Sequence, residues 1–216
     1  MVDADAVEIR VLGCLIEKQR TTPDAYPLSL NALRLACNQS TNREPVVEYD
    51  ESTIRSALER LSRRGWTRLA SGAGSRAAKY RHLLDHAIGL SGAEISVLAV
   101  LMLRGAQTPG ELKQRTERLY SFASLDEMLA VLDVLEERDL VTLLERRPGQ
   151  KEGRYLQLLG EQNADSAAGE LRHVEEPQSR IEALEDRLTR LEGAFAALQA
   201  RLGEPESVND LDVTDA

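Results

Sequence analysis

Apolar residues fall at helical spacing in two separated stretches, Ile9, Leu12 and Ile16 in one and Ile95, Leu98 and Met102 in the other. Each stretch predicts a helix with one face turned inward. The stretches are also copies. Ile9, Val11, Leu12, Leu15, Thr22 and Pro23 return 86 positions later as Ile95, Val97, Leu98, Leu101, Thr108 and Pro109. At an offset of 74, Leu58, Leu61 and Leu69 match Leu132, Leu135 and Leu143, and Trp66 is matched by Leu140. At an offset of 75, Lys79, Tyr80, Leu83 and Leu84 match Arg154, Tyr155, Leu158 and Leu159. Two copies of one unit, each of about 75 residues, account for this pattern better than one continuous domain.

Within each copy the elements follow one order. After the first helix comes a Thr-Pro break, then a second helix, opening near Ser29 as N-cap in copy one and near Pro109 in copy two. The third helix buries Ile54, Leu58 and Leu61 in copy one, and Leu125, Leu129, Leu132 and Leu135 in copy two. WTRLASGAGSRAAKYRHLL and LVTLLERRPGQKEGRYLQLL then read as strand, Gly-containing turn and strand. Three helices and a hairpin make the winged-helix pattern, in which the third helix is held so that its outer face can enter a DNA groove. The expected class is mainly α with small β-hairpins (α+β): winged-helix domains over 1–88 and 89–160, then a C-terminal coiled-coil helix.

Copy one carries 12 extra residues between its first and third helices, roughly NQSTNREPVVEYD. An insertion beside a recognition helix can be a contact loop, or it can cover a core edge with Pro45, Val46 and Val47. Both readings stand open at this point.

Residues 161–176 are polar and without period, which predicts a flexible linker, and 204–216 an acidic disordered tail. Between them, over 177–203, Ile181, Leu184, Leu188, Leu191, Phe195, Leu198 and Leu202 alternate spacings of 3 and 4, a heptad seam. A parallel pair of such helices sets Arg180 against Glu185 and Arg187 against Glu192, whereas an antiparallel pair opposes like charges. A parallel homodimer is expected, with a helix folding back on its own chain as the alternative.

Charge sharpens the division. The 216 residues hold 27 Lys plus Arg against 36 Asp plus Glu, a formal net charge of -9. Residues 1–88 carry 13 basic and 11 acidic side chains, 89–160 carry 9 and 11, and 161–216 carry 5 and 14. The acidity therefore belongs to the last quarter and does not exclude a local cationic surface in copy one. No apolar run approaches the roughly 18 residues of a membrane span, and the N-terminus has no signal pattern, so a cytoplasmic protein is expected. Cys14 and Cys37 lie in apolar helical contexts and read as buried reduced thiols. The three histidines have no nucleophile motif or phosphate loop beside them, and the carboxylates Asp133, Glu136 and Glu137 share one helix as a solvated face. No enzyme, metal site or cofactor is expected.

With the apolar positions of the third helix inward, copy one presents Ser52, Arg55, Ser56 and Arg63 outward, and its hairpin adds Arg76 and Lys79. Arginine can read guanine or clamp phosphate, and serine can bond either, so double-stranded DNA is the expected partner. Copy two differs. Its helix at 125–138 holds Asp126, Glu127, Asp133, Glu136 and Glu137, which phosphate repels and a protein partner could meet, while its hairpin offers a second wing of Arg146, Arg147, Lys151 and Arg154.

The stretches LGCLIEKQRTTPDAYPLSLNALRLACNQSTNREPV, SGAGSRAAKY, LRGAQTPGEL and RRPGQKEGRY, with the closing heptads, resemble the YceH family of bacterial proteins, which have no established function. The resemblance runs from about residue 9 to 202 and implies two tandem winged-helix domains with a C-terminal coiled-coil segment. It also implies that NQSTNREP is a family motif, which favours the contact reading of the insertion, with Asn38, Asn42 and Arg43 as its residues. The sequence thus predicts a DNA-binding transcription regulator acting through copy one. The alternative is a non-enzymatic interaction scaffold with weak or no DNA binding.

Overall fold

The computed structural model describes residues 4–70, 78–144, 146 and 152–160. The linker, the heptad seam from Ile181 to Leu202 and the tail lie outside them, as do Arg76, Arg147 and Lys151.

The chain is mixed α and β. Copy one runs α1 (Ala6–Thr21), β1 (Leu28–Ser29), α2 (Leu30–Cys37), α3 (Glu51–Arg63), β2 (Thr67–Leu69) and β3 (Lys79–His82). The short α4 (Leu84–Ile88) leads to copy two: α5 (Gly92–Arg104), α6 (Pro109–Thr116), α7 (Leu125–Glu137), β4 (Val141–Leu144) and β5 (Arg154–Gln157).

Helix starts follow the sequence closely, because short polar side chains take up the first orphan N–H groups. Asp5 and Glu8 form a reciprocal capping box on α1, with bonds of 2.8 and 2.9 Å. Ser91 and Glu94, 86 positions on, repeat it on α5 with bonds of 3.2 and 2.7 Å. The ends repeat as well. α3 closes through Gly65 at φ 75°, where Trp66 N–H donates to Leu61 at 2.9 Å and Gly65 N–H to Ser62 at 3.0 Å. α7 closes through Asp139 at φ 54°, with Leu140 donating to Leu135 at 2.9 Å and Asp139 to Glu136 at 3.0 Å. Both are Schellman caps that require one left-handed residue.

The sheets exceed the expected hairpins. In copy one the order is β1-β3-β2, with Leu28 opposite Tyr80 and Thr67 opposite His82. β1 is the stretch after Pro27, already extended when it reaches the Ser29 cap, and it satisfies backbone groups along the outer edge of β3. In copy two β4 pairs with β5, and Gln107 occupies the place of β1 through two backbone bonds with Tyr155 of 3.1 and 2.8 Å. The second strand of copy one also ends at His82, so the expected strand through Leu84 gives way to α4.

The larger difference concerns α1 and α5, which were expected to bury one face each. Every residue from Glu8 to Ile16 and from Ala93 to Leu103 is buried. The two helices pack against each other as well as against their own copies, and Gly13 permits it: a Cβ there would stand 2.9 Å from Leu103 and 3.1 Å from Met102. A single core consequently runs through both copies, from Leu12, Leu15 and Leu33 to Leu98, Leu112 and Leu132. The body is closed at its ends, where Ala4 N–H donates to Leu159 at 3.2 Å and Ala4 bridges Gly160.

Candidate nucleic-acid interface

α3 is amphipathic and exposes its outer face completely. Ile54, Ala57, Leu58 and Leu61 are buried, while Ser52, Arg55, Ser56 and Arg63 are exposed. Among the described residues neither Arg55 nor Arg63 takes a hydrogen bond or an ion pair. Asp50 caps the helix through Thr53 N–H at 2.7 Å and also accepts from the Ser52 hydroxyl at 2.9 Å. Those bonds hold the Asp50 carboxyl below its ordinary pKa. Ser52 therefore offers an acceptor outward while its proton points back to the cap.

The arginines on the inner flank of α3 have a different occupation. Arg60 reaches α1, 2.5 Å from Asp5 and 3.6 Å from Glu8, and Arg64 lies 3.6 Å from Glu8 and over the Trp66 ring. Glu51 and Glu59, at helical spacing on the same element, are not their partners in these pairs. The partners on α1 could not be read from spacing within α3.

On the sheet, Lys79 is exposed at the start of β3. Two further cations join it that the sequence reading passed over. Arg68 stands directly across from Arg81 in the β2–β3 ladder, opposite in facing to the buried Thr67 and His82 pair. Strand alternation in TRL and KYRH would have found them. Two like charges on facing strand positions repel one another unless an anion lies between them.

The inserted loop corrects an expectation. Arg43 is buried, and five hydrogen bonds consume its guanidinium: two to Glu17 at 2.6 and 3.3 Å, and one each to Ala36, Asn42 and Gln39. Arg43 is a fastening of α1 to α2, so it offers nothing to an outside contact. The same partners explain the titration of the pair. Glu17 is held below the usual carboxylate range, the hydrogen bonds and charge of Arg43 outweighing the opposing effect of burial. Asn38 is also committed, donating to Tyr49 O at 2.8 Å and accepting from Tyr49 N at 2.9 Å, a clamp across the loop. Asn42, exposed and at φ 61°, accepts from Arg104 of α5, and Glu44 N–H donates to Leu103 O at 2.8 Å. Beneath the loop Arg10 is buried as well, donating to Cys37 O at 3.2 Å and Pro45 O at 2.6 Å. The loop turns Arg43 inward and spans the joint between α1 and α5, while Ser40, Thr41, Asn42, Glu44 and Val46 remain exposed.

Copy two presents another surface. On α7, Asp126, Asp133, Glu136 and Glu137 are exposed, while Glu127 turns back to Ala123 N–H at 2.7 Å. Arg146 is exposed, and Arg154 lies half-buried on β5 opposite Leu144. Cys14 and Cys37 are buried free thiols. His82 is buried too, its Nε2 2.5 Å from Gln19 Oε1, and burial pushes its pKa down to about 4. A neutral, enclosed imidazole of this kind is a packing element. Among the described residues no group of three His, Cys, Asp or Glu could hold a metal ion, and no helix is long and apolar enough to cross a membrane.

Residues 4–150 match the family model described as "Protein of unknown function, DUF480". Among curated relatives, a UPF0502 protein of Pectobacterium atrosepticum is 43% identical over 207 residues, covering 91% of this chain and 98% of the relative. A UPF0502 protein of Serratia proteamaculans is 43% identical over 207 residues, covering 92% and 97%. The UPF0502 protein YceH of Escherichia fergusonii is 41% identical over 215 residues, again covering 92% and 97%.

Proposed function

The chain belongs to the DUF480 family of proteins of unknown function, and on that footing we propose that it is a DNA-binding protein of two tandem winged helices, non-enzymatic, that regulates transcription through copy one. The observation that carries the reading is the division of labour on α3: Arg60 and Arg64 are spent on α1, while Arg55 and Arg63 point outward without a partner among the described residues. Solvated guanidiniums flanked by Ser52 and Ser56 suit phosphate and guanine edges alike. Lys79, Arg68 and Arg81 supply further charge on the sheet, and Arg76 continues it along the sequence.

Few cations take part, so binding by one chain is weak and strongly salt-dependent. Pairing of two chains through Ile181, Leu184, Leu188, Leu191, Phe195, Leu198 and Leu202 as a parallel coiled coil would double the contacts and is part of the proposal. A cytoplasmic location accords with it.

The test is binding to a random duplex pool across a salt series. Arg55→Ala with Arg63→Ala should weaken binding and flatten its salt slope by about 2, one for each lost phosphate contact. Unchanged binding in that double variant, or none by the unaltered protein at low salt, overturns the reading.

A further inference from the structure

Copy two carries different side chains at most positions of the outer face of α3. At an offset of 74, Ser52, Arg55, Glu59 and Ser62 are replaced by Asp126, Leu129, Asp133 and Glu136, and Glu51 by Leu125. The outcome is a groove of about 750 Å³ between the start of α6, α7 and the β4–β5 hairpin. Leu125, Leu129, Leu143 and Tyr155 line it, and Leu125 and Leu143 remain 43% and 48% exposed. A soluble surface leaves leucines in that state singly, but seldom in a shared concavity.

The margin along α7 is acidic and uncompensated. Asp126, Asp133 and Glu136 form no ion pair among the described residues; Glu136 accepts from Leu143 N–H at 3.3 Å on the groove side of α7, and Asp133 and Asp126 follow on its flank. Burial raises the Tyr155 pKa, and the charges of Glu136 and Asp133 raise it further. Of the charged residues that line the groove, Arg146 and Glu152 at the hairpin end are opposite in sign, so among the described residues its acidic side is the α7 margin, where Asp126, Asp133 and Glu136 are exposed beside the groove and not in its lining.

We infer that this groove binds a basic amphipathic helix of a protein partner, its apolar stripe on Leu125, Leu129 and Leu143 and its Lys or Arg side chains beside Asp126, Asp133 and Glu136. Charge complementarity selects that occupant. Nucleic acid is repelled by the same carboxylates, and an acidic or neutral helix would leave them unanswered. A helix laid in a groove presents side chains at i, i+3, i+4 and i+7, which matches an apolar floor with a charged edge on one side. The inference does not depend on DNA binding by copy one.

The probe is a fluorescein-labelled 14-residue peptide of Leu and Lys, with leucines at the helical stripe positions, titrated into the full chain and followed by anisotropy. Saturable 1:1 binding is expected. Leu125→Ser with Leu143→Ser, both at exposed positions that leave the core intact, should weaken it at least tenfold, and Asp126→Asn with Asp133→Asn should weaken it and flatten its salt dependence. A peptide of the same composition in scrambled order measures attraction to net charge alone and should bind at least tenfold more weakly. Equal binding of the scrambled peptide, equal binding by the Leu125→Ser, Leu143→Ser protein, or no saturable binding would each overturn the inference. So would sedimentation in which those two substitutions dissolve self-association, because the groove would then belong to a second copy of the chain. Arg55→Ala with Arg63→Ala leaves peptide binding intact, so loss of DNA binding and loss of peptide binding are separable results.

Discussion

Glu94 lies 2.8 Å from Arg138, joining the first turn of α5 to the cap of α7, and Glu8 meets Arg64 in the same place 86 and 74 positions earlier. Each glutamate thus has two duties. It closes a capping box and holds the end of the third helix against the start of the first. Arg138 adds bonds to Gly89 O at 3.2 Å and Ile88 O at 2.5 Å, which tie the link between the copies to the same point. In copy one Arg60 and Arg64 take this place, and among the described residues Arg55 and Arg63 are left without an ion pair.

Arg138→Ala removes three acceptors' partner at once and leaves Oε1 of the buried Glu94 without its donor, Oε2 keeping the Ser91 N–H. Because Arg138 itself is about one-third exposed, the loss should be about 1–2 kcal/mol, below the figure for a fully buried pair. Urea unfolding should register it as a lower midpoint at unchanged slope.

Arg60→Ala separates structure from recognition. It should cost stability through the loss of Asp5 and Glu8, by about 1 kcal/mol, and, under the proposed DNA-binding role, leave the salt slope of that binding as it was. A slope that falls as much as in Arg63→Ala would mean that Arg60 leaves α1 to meet phosphate.

His82 makes stability depend on acidity. Its folded pKa is lowered from 6.5 to about 4, so the unfolded chain takes up a proton below pH 6.5 that the folded chain refuses until near pH 4. Unfolding binds protons in that window, and stability falls as pH falls through it, by up to about 3 kcal/mol. Above pH 6.5 the contribution is constant. His82→Gln should flatten the unfolding free energy between pH 6.5 and 4 relative to the unaltered protein.

Gly65 sits at φ 75° with open space where a Cβ would go, so only backbone conformation opposes a side chain there. Gly65→Ala should cost about 1 kcal/mol. Gly65→Asp should cost less, because Asp tolerates the left-handed region and copy two already uses Asp139 at that cap.

The repeat made much of this fold readable. Ser29, Pro109 and the apolar spacing of α3 and α7 announce their helices, but Leu125, expected inward with Leu132 and Leu135, is 43% exposed because it stands in the first turn of α7, and Met128 is buried instead. The shared seam was harder to see, though GAEISVLAVLMLR carries a sign of it: a helix apolar on every side has no solvent face and must be covered all round. Reading only Ile95, Leu98 and Met102 took one stripe out of a cylinder. The commitments of the loop were hidden for a different reason. Arg43, Asn38 and Asn42 are polar residues in an insertion, which is the composition of a contact surface and equally that of a bracket. Their partners, Glu17, Tyr49 and Arg104, lie up to 62 positions away, beyond what local pattern can reach. Arg68 and Arg81 were legible but overlooked, since strand pairing alone puts them side by side.

The bond from Ala4 to Leu159, together with the α1–α5 seam, bears on the order in which the chain is made. Copy one leaves the ribosome first with its central helix still uncovered on the side that α5 will occupy, and the Ala4 N–H lacks its Leu159 acceptor until the end of copy two has emerged. The nascent chain must carry that apolar flank through the synthesis of roughly 80 more residues, several seconds at least at ordinary elongation rates. Translation speed and early chaperone capture should therefore govern the yield of this protein more than the intrinsic stability of either copy.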